Sequence, residues 1–146
     1  MSELLTGRRR LPIEDVPDDA FERVLPREAP PARGQVELIF ALCALYAPGV
    51  VPPRFKRLIP HGEGVFGGRY IAGAGIVVYA HADVVLERAV TAHETCHYLR
   101  DVHGGDHLGE HDEAFLALSE DAYRVLGIPS ATARLVEGQY PKTWRW

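Results

Sequence analysis

A dense apolar pattern runs from Gln35 to Tyr46, where Val36, Leu38, Ile39, Phe40, Leu42 and Leu45 recur with no Pro or Gly among them. It predicts a buried helix, ended by Pro48-Gly49 and kept from restarting by Pro52-Pro53. Arg54 to Leu58 suits a short strand, and His61-Gly62-Glu63-Gly64 and Gly67-Gly68 suit turns. Tyr70 to Tyr79 alternates small and β-branched residues around Ile76, Val77 and Val78 and predicts one strand, its Gly73 and Gly75 marking a bulge or a close backbone approach. Such a strand, if it lies at a sheet edge, can hold an extended peptide by its backbone.

Asp83 is a natural cap for a second long helix that reaches Val102 and stops at Gly104-Gly105. Glu110 to Leu126 predicts a third, with Ala114, Phe115, Leu118, Ala122, Val125 and Leu126 at three- and four-residue steps and Gly127 and Pro129 closing it. A short fourth helix fits Ala131 to Glu137. Residues 1–34 carry Pro12, Pro17, Pro26, Pro30 and Pro31 among many charges, which leaves room for no more than a helical turn around Asp19–Val24. They read as an arm on a domain spanning residues 35–146. The predicted class is α+β: a small, mostly antiparallel sheet packed on helices, with the Asp83–Val102 helix central.

Composition narrows the function classes. With 47% hydrophobic and 25% charged residues over 146 positions, the chain can bury a core of its own. A net charge of −4 does not point to nucleic acid, and the short basic runs Arg8-Arg9-Arg10 and Arg54 to Arg57 read as solvated surface. No apolar run approaches the roughly 18–20 residues of a membrane span. Cys43 and Cys96 both fall in apolar helical patterns and read as small buried hydrophobes, which suits a reducing cytoplasm.

The candidate chemistry sits in the second long helix. His93-Glu94-Thr95-Cys96-His97 is a His-Glu-x-x-His string. Side chains four apart leave a helix on one face, so His93 and His97 can share one ion at about 2.0–2.1 Å. Glu94 follows the first ligand and can stand beside the open coordination position as general base. Cys96 is off that face and reads as core. Zinc is the natural ion for a histidine-rich tetrahedral site, and a catalytic zinc wants three protein ligands.

The third ligand has five candidates: His103, His107, His111, Glu113 and Glu120. His103 has the metzincin spacing, but Arg100 stands where that pattern needs Gly, and the only methionine is Met1, so a Met-turn is missing. His111 is preferred. The Gly-rich stretch from His103 to Gly109 can fold the third helix back over the second, bringing a ligand in its first turn to the metal with Phe115 packed beneath. Glu113 and Glu120 stay open as gluzincin-like alternatives. His107 and Asp106 lie in that loop, in reach of a ligand or a substrate.

The stretch from Val50 to Leu126 resembles the SprT-like zinc metallopeptidases. The resemblance is carried by His93, Glu94 and His97, by His111 and Phe115 in the later His-x-x-x-Phe string, and by Val51-Pro52-Pro53 and the strand Gly75–Tyr79 upstream. It implies a zincin-like fold, a zinc ion held by His93, His97 and His111, and Glu94 as catalytic base. Asp112 stands where that family has Gly after the third His, and no cysteine-rich zinc ribbon follows. The Glu110–Ala117 segment is also loosely similar to the ImmA-like peptidases that cleave repressors. The expected function is hydrolysis of a protein or peptide substrate by zinc-activated water. The alternatives are a non-catalytic zinc-binding interaction module and an ImmA-like regulator-cleaving peptidase.

Overall fold

The computed structural model describes residues 27–62, 64–104 and 111–138. These form strand β1 (Arg27–Ala29), helix α1 (Gln35–Tyr46), strands β2 (Phe55–Ile59), β3 (Gly68–Ile71) and β4 (Gly75–Tyr79), and helices α2 (Val84–Val102), α3 (Glu113–Leu126) and α4 (Ser130–Glu137). The class is α+β as expected. The four strands lie in the order β1-β2-β4-β3; β1 and β3 pair antiparallel with their neighbours, and β2 and β4 run parallel.

Helix α2 is the hub. It packs against β3 and β4 of the sheet and against α1, α3 and α4. Its first turn is closed by Asp83, whose side chain accepts from the Leu86 amide at 3.1 Å, a cap of about 1 kcal/mol. Leu86, Ala89, Val90, Ala92, Cys96 and Leu99 of α2 are all buried. They meet Leu38, Ile39 and Leu42 of α1 and the inward-facing Ile76 and Val78 of β4 in one core.

A polar knot pins the start of this hub. Glu87, 4% exposed, accepts from Arg57 Nε at 2.6 Å and Nη2 at 3.0 Å, from the His81 amide at 2.9 Å and from Gln35 Nε2 at 2.9 Å. Gln35 also donates to Thr91 Oγ1 at 3.0 Å. One buried carboxylate thus ties α1, β2 and α2 together. Burial would raise its pKa, but the Arg57 guanidinium and the amide donors outweigh that and hold it below the usual value of 4.5.

Several expectations change. The predicted strand from Tyr70 to Tyr79 is a hairpin: β3 ends at Ile71, the Ala74 amide donates to the Ile71 carbonyl at 2.9 Å, and Gly73 takes φ +81° between them. That left-handed backbone needs a glycine, so Gly73 marks a reversal rather than a bulge. Helix α1 is buried on one face only, through Gln35, Leu38, Ile39, Leu42 and Cys43, while Phe40 and Leu45 are exposed. In α3 the buried stripe is Phe115, Leu116, Ser119, Ala122 and Tyr123, and Ala114 and Val125 face outward. Small and apolar residues on both sides of α3 left its inner face ambiguous in the sequence.

Part of the expected N-terminal arm belongs to the sheet, since Arg27–Ala29 pairs with Arg57–Ile59. The turn expected around Asp19–Val24 lies outside the described residues, as do Asp106 and His107. No helix among the described residues is long and apolar enough to cross a membrane.

Candidate metal centre

His93 and His97 leave the same face of α2, and both are buried. His111 comes from the chain just before α3, one residue ahead of its cap, rather than from the first turn of that helix. Its Nε2 lies 3.1 Å from His97 Nε2 and 3.2 Å from His93 Nε2. The metal-ligating atoms of the three rings all lie within 4.8 Å of one another.

These spacings fit a cation. Nitrogens at zinc–nitrogen distances of about 2.0–2.1 Å and at tetrahedral angles are about 3.3 Å apart. The Tyr123 hydroxyl donates to Glu137 Oε2 at 2.6 Å, and the Nδ1 of His93 lies 2.6 Å from the same oxygen. Burial would raise the Glu137 pKa, but the adjacent His93 and Tyr123 more than offset this and keep it below the usual value, as a carboxylate. A carboxylate only accepts, so His93 Nδ1 carries a proton, and in the neutral ring the lone pair is then on Nε2. Burial, with the His93 and His97 rings close by, pushes the His111 imidazole down to about 2, so that ring is neutral at neutral pH. Three imidazoles therefore turn toward one point and could hold a metal ion.

Phe115 forms the floor. It is fully buried, stacks on His97 with ring centroids 4.3 Å apart at 24°, and meets His93 and His111 edge-on at 5.0 and 4.9 Å. The head of α3 is held in place by Asp112. Its side chain accepts from the Phe115 amide at 2.9 Å as an N-cap and pairs with Arg100 Nη1 at 2.6 Å. Arg100 and Asp112, both departures from family patterns in the sequence, thus close the end of α2 onto the start of α3 beside His111.

Glu94 is 5% exposed, and its Oε2 lies 4.0 Å from His93 Nε2, at the border of the imidazole group. Strand β3 approaches it closely. A Cβ on Gly68 would sit 2.5 Å from the Val77 carbonyl oxygen, 3.0 Å from Glu94 Cγ and 3.2 Å from Val90 Cγ1. Only glycine lets the edge strand lie this near the carboxylate.

The structure brings together four of the predicted residues: His93, Glu94, His97 and His111. Among the described residues no other His, Cys, Asp or Glu joins the imidazole group. His103 is exposed at the end of α2 with its Nε2 3.1 Å from the Tyr46 carbonyl, Glu113 is exposed and Glu120 is half-buried, all outside the group. His107 lies outside the described residues. Cys96 is buried in the core as expected. Sequence reasoning missed Glu137 and Tyr123, which stand behind His93. The one signal was a glutamate beside Val136 and one turn after Ala133, on what proves to be the buried face of α4.

Compared with protein families, with curated proteins and with solved structures, the chain matches none.

Proposed function

We propose that this protein is a zinc-dependent metallopeptidase. The observation that carries the reading is the convergence of three imidazole nitrogens at 3.1 and 3.2 Å with a buried glutamate at their border. His93, His97 and His111 would hold the ion. Bound there, zinc would supply Lewis-acid polarisation of a carbonyl and lower the pKa of water to about 7.

The chain's own residues supply the rest. Glu94 would take the proton of the attacking water as general base and return it to the leaving amine. Its burial behind Gly68 and Val90 restricts its side chain, so the proton transfer starts from a fixed geometry. Strand β3 lies at the edge of the sheet beside α2 and can take an extended peptide by backbone hydrogen bonds. The resemblance to SprT-like peptidases supports this reading through the same His93, Glu94, His97, His111 and Phe115. An ImmA-like site with Glu113 or Glu120 as third ligand has less support, because both lie outside the imidazole group. A cytoplasmic location is part of the proposal and is supported by the two buried free cysteines.

Glu94→Gln tests it. The variant and the wild type are both expected to take up one zinc per chain, and the variant to lose on the order of 10²–10⁴-fold in casein hydrolysis. Equal hydrolysis by the variant would remove Glu94 from the role of base. A zinc-loaded wild type with four protein ligands and no hydrolysis would make the site a structural module.

A further inference from the structure

Behind the imidazole group lies a buried pair that the peptidase reading does not use. Glu137 is the last residue of α4, is 0% exposed and sits 44 positions beyond His93. Both of its hydrogen bonds end on one oxygen. His93 Nδ1 and the Tyr123 hydroxyl each lie 2.6 Å from Oε2, whereas Oε1 has no partner among the described residues.

An ordinary core position would not select this arrangement. A buried carboxylate with an unsatisfied oxygen is unfavourable, and an apolar side chain of similar size would fill the space without that penalty. What the carboxylate does provide is an acceptor that can never donate. A neutral imidazole has one N–H to place on either nitrogen, and an acceptor-only partner at Nδ1 decides which. The Tyr123 hydroxyl, also buried, fixes the accepting oxygen from its other side.

We propose that Glu137 is a positioning residue for the first metal ligand: it fixes His93 as the Nδ1–H tautomer, with the Nε2 lone pair aimed at the point His97 and His111 also face, and Tyr123 holds Glu137 in that register. The inference rests on the reading of the three histidines as a metal site and deepens it. A carboxylate behind a ligating imidazole orients the ring and raises its basicity, and loss of such a partner typically costs 10–100-fold in metal affinity. The device also joins α4 to the centre, so the last described helix contributes to the site without touching the ion.

Two measurements on the full chain test it. Zinc affinity, from competition with a chromophoric chelator, is expected to fall about 10–100-fold in Glu137→Gln and less in Tyr123→Phe. Melting of the metal-free Glu137→Gln protein should still show one cooperative transition, so that the loss of affinity is read on a folded chain. A purely structural Glu137 gives a lower metal-free melting temperature with unchanged zinc affinity, and that result overturns the inference. The second measurement is the ¹⁵N spectrum of His93 in the metal-free wild type, expected to show protonated Nδ1 and bare Nε2, with the two forms mixed in Glu137→Gln. Protonated Nε2 in the wild type overturns the inference whatever the variants do. Neither readout uses hydrolysis. A chain with Glu137-dependent zinc affinity and no peptidase activity would refute the peptidase proposal alone, and a wild type that takes up no zinc would refute both.

Discussion

Gly68 shows how closely the site depends on single atoms. The space a Cβ would need is already filled by the Val77 carbonyl, Glu94 Cγ and Val90 Cγ1. Gly68→Ala should therefore cost about 1–3 kcal/mol of folding stability, the usual penalty for overpacking. It should also displace Glu94 and lower hydrolysis more than zinc uptake. Urea unfolding together with paired zinc and casein assays will check this; a variant with wild-type stability would mean that β3 can move away freely. Phe115 is the second such residue. Its ring touches all three imidazoles, and Phe115→Ala is expected to cost about 3–5 kcal/mol. At this scale the sequence was most informative where the chemistry is local. His93, Glu94 and His97 are fixed by helical spacing alone, and Phe115 by its distance from His111. Gly68, Tyr123 and Glu137 were not legible, because what they touch lies far along the chain and depends on how β3 and α4 pack on α2.

Among the elements, α2 carries two of the three histidines but does not orient itself. Its start is tied to α1 and β2 through Glu87, Gln35 and Arg57, and its end to α3 through Arg100 and Asp112. The Glu87 knot has a pH signature. Its folded pKa lies below the usual value of 4.5, so its contribution is fully present above that value and is lost as pH falls below it. Glu87→Gln leaves Arg57 half-paired and should cost on the order of 3 kcal/mol near pH 7. The gap from wild type in urea unfolding should narrow as pH is lowered through the carboxylate range, and a gap constant with pH would show that Glu87 holds no charge-dependent contact. Element boundaries were largely legible. The apolar run at Gln35, the cap at Asp83 and the Gly127–Pro129 stop all fall where the structure has them. The hairpin within Tyr70–Tyr79 and the inner face of α3 were not. Gly73 fits a bulge as well as a turn, and only the pairing of β3 with β4 decides between them.

For the whole molecule, the three histidines come from α2 and from the chain just before α3, which meet only in the folded chain, so the proposed metal binding would be coupled to folding. Zinc at about 100 times its dissociation constant should add about 2.7 kcal/mol of stability. That corresponds to a rise in melting temperature of roughly 5–10 °C for a domain of this size, which a chelator should reverse. A melting temperature insensitive to both would mean that the imidazoles do not hold an ion in the native state. The α+β architecture and the centrality of α2 were legible because a His-Glu-x-x-His helix between a strand and two further amphipathic helices leaves few ways to bury its other faces. The β1-β2-β4-β3 order was not, since short strands of similar composition do not encode their neighbours.

The most direct measurement is X-ray absorption at the zinc edge on the chain loaded with one equivalent of zinc, in the wild type and in His111→Ala. The wild type should show three imidazole nitrogens and one light, non-protein ligand at about 2.0–2.1 Å, and the variant one imidazole fewer with weaker binding. A wild-type spectrum with two imidazoles, with four protein ligands, or unchanged by His111→Ala would contradict the arrangement of His93, His97 and His111 around an open catalytic position.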